Sequence, residues 1–222
     1  MRVLLLGGTG NLGKRCVPAL LAHEHVLTIY VRNPSKFKHL ECSRQSFLLP
    51  KIAKAVADAA IAVGNERGVP LRVWITAGLG LLKTPGRPYL IQEFAPYVAM
   101  AQHDATRKAI EPIPLTDLRW SLFCVGNMQP LDRQQTVFEP LNAPTPHNLL
   151  LGVMTMPAWV DSWWIHVPFV GDFVNIWMVL FFQYGTKYEA AADFLAEDLE
   201  KESQDFVGVR VGMKKESKSK DD

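Results

Sequence analysis

Four glycines near the start of the chain are the residues whose type and spacing most directly imply chemistry. They stand in Gly7-Gly8-Thr9-Gly10-Asn11-Leu12-Gly13, after the apolar run of residues 3–6. Leu12, Cys16 and Leu20 then recur at helical spacing. Glycine permits a tight turn and lets backbone N–H groups approach a pyrophosphate closely. A helix starting at the end of such a loop adds unpaired donors and the positive end of its dipole. Asn11 is expected to cap that helix. Between a strand and a helix, the pattern implies a phosphate-binding loop, with Gly7, Gly8, Thr9, Gly10, Asn11, Leu12 and Gly13 as cofactor-binding candidates.

Selectivity is written about 20 residues further on, where an acidic residue would bind a ribose 2′-hydroxyl. The chain offers Arg32 there, in Tyr30-Val31-Arg32-Asn33-Pro34. A guanidinium suits a 2′-phosphate through charge and paired donors, so NADP(H) is expected over NAD, which stays open. The plain alternative for Arg32 is an exposed loop arginine. Thr76, Ala77 and Gly78 close a later strand, at the edge where open α/β sheets bind ligands, and are assigned to the cofactor; simple turn chemistry is the competing reading. Gly126, Asn127 and Met128 have the same status one strand later. Cys16, Cys42 and Cys124 lack metal-ligand spacing, so no metal site is expected.

These residues need a frame, and the periodicities supply an α/β one. Residues 3–6, 26–31, 71–76 and 118–124 read as strands, with a final short strand at 207–211. Helices are expected at 51–67, presenting Ile52, Val56, Ala59 and Val63 on one face, at 98–111 and at 187–199. Alternation of strand and helix predicts a Rossmann-like doubly wound parallel sheet, shortened, with a small C-terminal helical lobe. Its strand order would place the second strand beside the first, followed by the strands at Leu71 and Leu118.

Two motifs carry a resemblance to a known family. Gly-Gly-Thr-Gly-Asn-Leu-Gly-Lys at 7–14 and Tyr-Val-Arg-Asn-Pro-Ser-Lys at 30–36 are similar to the atypical short-chain dehydrogenase/reductases, NmrA-like NAD(P)-binding proteins in particular. Residues 119–128, 186–199 and 206–212 resemble that family's later strands and terminal helix. The resemblance implies an NAD(P)-binding oxidoreductase, and it places His103 on a helix bordering the nicotinamide pocket. His103 is accordingly the catalytic candidate, as proton donor or substrate contact, against the plain reading of a half-exposed helix histidine. The chain departs from the family twice. A whole strand–helix–strand of the pattern is missing between Val31 and Lys51, by deletion or by loss of an exon. No tyrosine is followed four residues on by lysine, so the superfamily's usual Tyr-x-x-x-Lys acid is absent.

Composition sets the remaining bounds. With 222 residues, 48% hydrophobic and 21% charged, the chain suits one domain, 1–222. Within it, about 127–185 reads as a loop-rich apolar substrate-side lobe and 213–222 as a disordered tail. The aromatic stretch 159–169 lines a substrate pocket, packs the lobe, or forms a surface for a partner or membrane. A net charge of +2 gives no argument for nucleic acid. The apolar run at 3–6 is too short for a signal peptide, and no stretch is expected to span a membrane, so a cytoplasmic location follows. The expected function is NADP(H)-dependent hydride transfer to or from a small apolar carbonyl or enone. The alternatives are a non-catalytic NADP(H)-sensing regulator with a protein partner, or an inactive truncated member.

Overall fold

A computed structural model describes residues 1–31, 49–94, 98–131, 141 and 143–216. Arg32 and Cys42 lie outside the described residues, as do 217–222. The order of elements is β1 (Arg2–Leu6), α1 (Gly13–Ala22), β2 (Val26–Tyr30), α2 (Leu49–Arg67), β3 (Leu71–Gly78), α3 (Ile91–Phe94), α4 (Val98–Ile110), β4 (Leu118–Val125), β5 (Met128–Gln129), β6 (Leu149–Val153), α5 (Gly171–Gln183), β7 (Thr186–Lys187), α6 (Tyr188–Lys201) and β8 (Arg210–Lys215).

The central sheet has the order β3-β4-β8-β6, parallel except for the antiparallel edge strand β6. β4 is buried on both faces, as its nearly unbroken apolar sequence requires. Leu118, Trp120, Leu122 and Cys124 join Ala53 and Ala57 of α2, Ile75 and Ala77 of β3 and Ile110 of α4 in one core. Phe123, on the opposite face, packs with Phe194 of α6 and with Val211 and Met213 of β8. Helices therefore cover both faces, and the architecture is the doubly wound, shortened Rossmann type that alternation predicts. Each fully buried Leu or Phe contributes roughly 1.5–3 kcal/mol to this arrangement.

The expected strand order does not form. β1 pairs with β2 in parallel, and the two make a separate sheet with no ladder to β3 among the described residues. Side chains join this βαβ unit to the rest instead. Cys16, Ala19 and Leu20 of α1 pack on Ala192 and Ala196 of α6, with Val3, Leu5 and Leu27 behind them. Small residues let the two helices approach closely, and that packing sets the unit's position without strand pairing.

Other expectations shift for local reasons. α2 buries Ala53, Ala57 and Gly64, whereas Ile52 and Val63 are exposed. Its small-residue stripe fits close against the sheet, where branched side chains would hold it off. Asn11 does not cap α1: Leu12 occupies that position without a side-chain bond, because the loop runs one residue further. The final strand begins at Arg210, since Gly208 turns the chain at φ +75° against Leu115. That strand continues through Met213, Lys214 and Lys215, so the tail assigned to 213–222 starts as sheet, with Met213 buried between layers. The lobe at 127–185 holds β5, β6 and the 13-residue α5 besides loops. Buried Asn175 docks α5 by accepting from the Ser162 N–H and hydroxyl and donating to Asp161. No described helix is long and apolar enough to cross a membrane.

Candidate functional site

The glycine loop emerges from β1 with Gly7 at φ +78°, a conformation that side chains strongly disfavour. The Gly10 N–H donates to the Gly7 carbonyl at 2.9 Å and closes the turn. The first turn of α1 then presses on the loop: a β-carbon at Gly13 would lie 2.2 Å from the Gly7 oxygen. Glycine is required there for close approach of two backbones. The helix proper starts as Lys14 N–H donates to Gly10 and Cys16 N–H to Leu12, each at 3.0 Å. Among the described residues, the N–H groups of Asn11, Leu12 and Gly13 donate to no acceptor. Three such donors line a cradle at the positive end of a helix, a setting that favours negative charge. Gly10 and Asn11 are exposed and Thr9 partly so, which leaves the cradle open.

Residues outside the loop hold it in place. Arg15 donates through Nε to Glu189 at 2.5 Å and through Nη1 to the Asn11 carbonyl at 2.9 Å, and it lies over the Tyr188 ring. The other oxygen of Glu189 accepts from the Leu131 N–H at 2.8 Å. One carboxylate in the first turn of α6 thus links the first turn of α1 to the chain leaving β4. Thr186 N–H reaches the Asn127 carbonyl at 3.1 Å, fixing the same junction from β7. Sequence reasoning missed Arg15 and Glu189. They lie 174 positions apart, and nothing local in either segment marks them as a pair. Leu12 completes the seating by packing into both the Phe123–Phe194 and the Cys16–Ala196 clusters. Beside Arg15, burial pulls the Lys14 ammonium below its usual range, and the guanidinium pulls it further.

The residues assigned at the end of β3 divide by the strand's alternation. Thr76 is exposed, whereas the Ala77 methyl is fully buried in the core, so a ligand at this edge meets only the Ala77 backbone. Gly78, last in the strand, lies under the ring of His103 from α4. The structure thus brings His103 and Gly78 together. In the lobe, Trp159 stacks on Tyr184 and packs against the core, while Trp163 stacks on Trp164 at the surface.

No protein-family model matches the chain, and no curated protein matches it in sequence. Solved structures match it in fold, among them proteins named as reductases, epimerases and short-chain dehydrogenases. A Lactobacillus casei protein superposes with a TM-score of 0.64 at 13% identity, covering 98% of this chain and 100% of its own. A protein of Streptococcus pneumoniae TIGR4, provisionally named an NADH-flavin reductase, gives 0.61 at 13% identity over 97% and 100%. A wide-type short-chain dehydrogenase/reductase from Veillonella parvula DSM 2008, solved in complex with NADP, gives 0.52 at 14% identity over 98% and 95%. At these identities the likeness is one of fold.

Proposed function

We propose that the protein binds NADP(H) through its glycine loop and serves as an oxidoreductase of the atypical short-chain, NmrA-like kind, acting on a small apolar carbonyl or enone. The observation that carries the reading is the cradle at the start of α1. Three N–H donors without acceptors among the described residues, a left-handed Gly7 and the close backbone approach at Gly13 suit a dinucleotide's diphosphate. A fold neighbour solved with NADP supports the reading.

When bound, the nicotinamide supplies hydride transfer. The chain's residues orient and shield. Asn11, Leu12 and Gly13 would hold the diphosphate, Arg32 the 2′-phosphate, and Thr76 with the Ala77 and Gly78 backbone the ribose side. The apolar lobe beyond β4 would cover the reacting carbon and exclude water.

Two measurements test this. NADPH binding, followed by nucleotide fluorescence, is expected for the native chain and lost in Gly13→Val, whose side chain would meet the Gly7 carbonyl. Arg32→Ala is expected to weaken NADPH about tenfold and leave NADH unchanged. Equal affinity of the native chain and Gly13→Val for NADPH would overturn the site. The absence of Tyr-x-x-x-Lys favours a second reading, a non-catalytic NADP(H)-sensing regulator. Tight NADPH binding without turnover of any ketone or quinone, together with a cofactor-dependent partner interaction, would decide for it.

A further inference from the structure

His103 is placed differently from an ordinary surface histidine. It projects from α4 onto the last residue of β3, where a β-carbon at Gly78 would stand 2.6 Å from Cδ2 and 3.0 Å from Nε2. Cγ follows at 3.1 Å, so the Cδ2 corner of the ring, with Nε2 beside it, faces Gly78 at the carboxyl end of the strand. The opposite nitrogen, Nδ1, is sealed from solvent and has no hydrogen-bond partner among the described residues. Asp104, next in the chain, is engaged by Gln92, Arg107 and Lys108 and does not reach the ring as a counter-charge.

Two consequences follow. Burial alone disfavours the imidazolium and holds its pKa below the usual histidine value, so the ring is neutral near pH 7. A neutral ring must place its one proton. On Nδ1 it would be a buried N–H without an acceptor, an arrangement rarer in folded proteins than an unpaired acceptor. The proton therefore sits on Nε2, on the Gly78 side.

We propose that His103 is a ligand-contacting residue whose neutral imidazole donates from Nε2–H to a carbonyl oxygen bound at the carboxyl end of β3, and that residue 78 must be glycine to seat the ring. The proposal rests on the NADP(H) reading above. The carbonyl belongs to the nicotinamide carboxamide or to the substrate, and both present the same acceptor. A neutral donor polarises such an oxygen without itself giving up its proton, so the role is binding and orientation.

Nitrogen-15 NMR of histidine-labelled protein tests this without depending on activity. The free protein is expected to show His103 protonated at Nε2 and unprotonated at Nδ1 at pH 7–8. NADP⁺ alone is expected to shift the Nε2 resonance if the carboxamide is the acceptor. A shift appearing only when menadione is added with NADP⁺ assigns the acceptor to the substrate. His103→Gln, which keeps an amide N–H in reach, is expected to hold ligand affinity within about threefold. His103→Phe and Gly78→Ala are expected to lose about tenfold. A proton on Nδ1, or NADP⁺ binding with the His103 signals unchanged by both ligands, overturns the contact and leaves the glycine-loop site standing. Failure of the native chain to bind NADP⁺ or NADPH overturns the site reading and the contact together.

Discussion

Single side chains show how strongly burial governs chemistry in this protein. Asp193 of α6 is 3% exposed, and burial raises its pKa from 3.8 to about 6, with Glu189 and Glu197 adding to the shift and His23 opposing it. Between those two values the folded chain holds a proton that the unfolded chain has lost. Stability therefore falls as pH rises through that window, and the group costs most above pH 6. Asp193→Asn is expected to be more stable than the native chain at pH 7.5 by about 1–2 kcal/mol, allowing for solvent screening of the two-unit shift, and equal to it near pH 4. Urea denaturation at the two pH values measures this; a difference independent of pH would refute it. The Gly7-to-Gly13 spacing belongs to the same scale and was fully legible in the sequence, because its requirements are local backbone ones. That the His103 ring packs on Gly78 was not legible, since it depends on where α4 meets the end of β3.

Pairs of elements are joined by a few polar clasps within apolar packing. Arg72 on β3 donates to Asp198 on α6 at 3.2 Å and to the Ser121 hydroxyl at 2.6 Å, and Trp74 Nε1 donates to the same Asp198 oxygen at 2.7 Å. The Asp198 side chain is 1% exposed, so removing its cation leaves a carboxylate buried without its counter-ion. Arg72→Ala is expected to destabilise by about 3–5 kcal/mol, whereas the double change Arg72→Met with Asp198→Leu should come close to neutral, because apolar groups of similar size replace both charges. Thermal melts of the two variants decide it; equal losses would show that the pair contributes only through packing volume. Strands β3 and β4 were readable from continuous apolar runs. The face of α2 was not, since several hydrophobic stripes fit its sequence and only the sheet selects Ala53, Ala57 and Gly64.

At the scale of the whole molecule, two patches of exposed apolar surface stand out among the described residues. Leu4, Leu6, Val26 and Tyr30 share the face of the β1–β2 sheet turned away from α1 and α6, and all four are exposed. Phe181 and Phe182 near the end of α5 are 74% and 75% exposed, with Trp163 and Phe169 also open. Exposed apolar patches of this kind promote self-association. Phe181→Glu with Phe182→Lys is expected to reduce association seen by light scattering and to shift the melting temperature by no more than about 2–4 °C, because neither ring is in the core. A larger loss of stability would show that these rings are covered in solution.

By itself the sequence determined the glycine turn between β1 and α1, the α/β class and most element positions, because turn chemistry and hydrophobic period act over a few residues. It misplaced the start of the last strand, where the left-handed Gly208 turns the chain, and the start of the tail, where β8 runs on to pair with β6. Only the tertiary structure decided that β1 and β2 stand as their own sheet, held by α1 on α6. It also decided that Glu189 ties the loop to the end of β4 and that His103 sits over Gly78. Each of these joins residues far apart in the chain, and the packing of whole elements, which no local pattern encodes, brings them into contact.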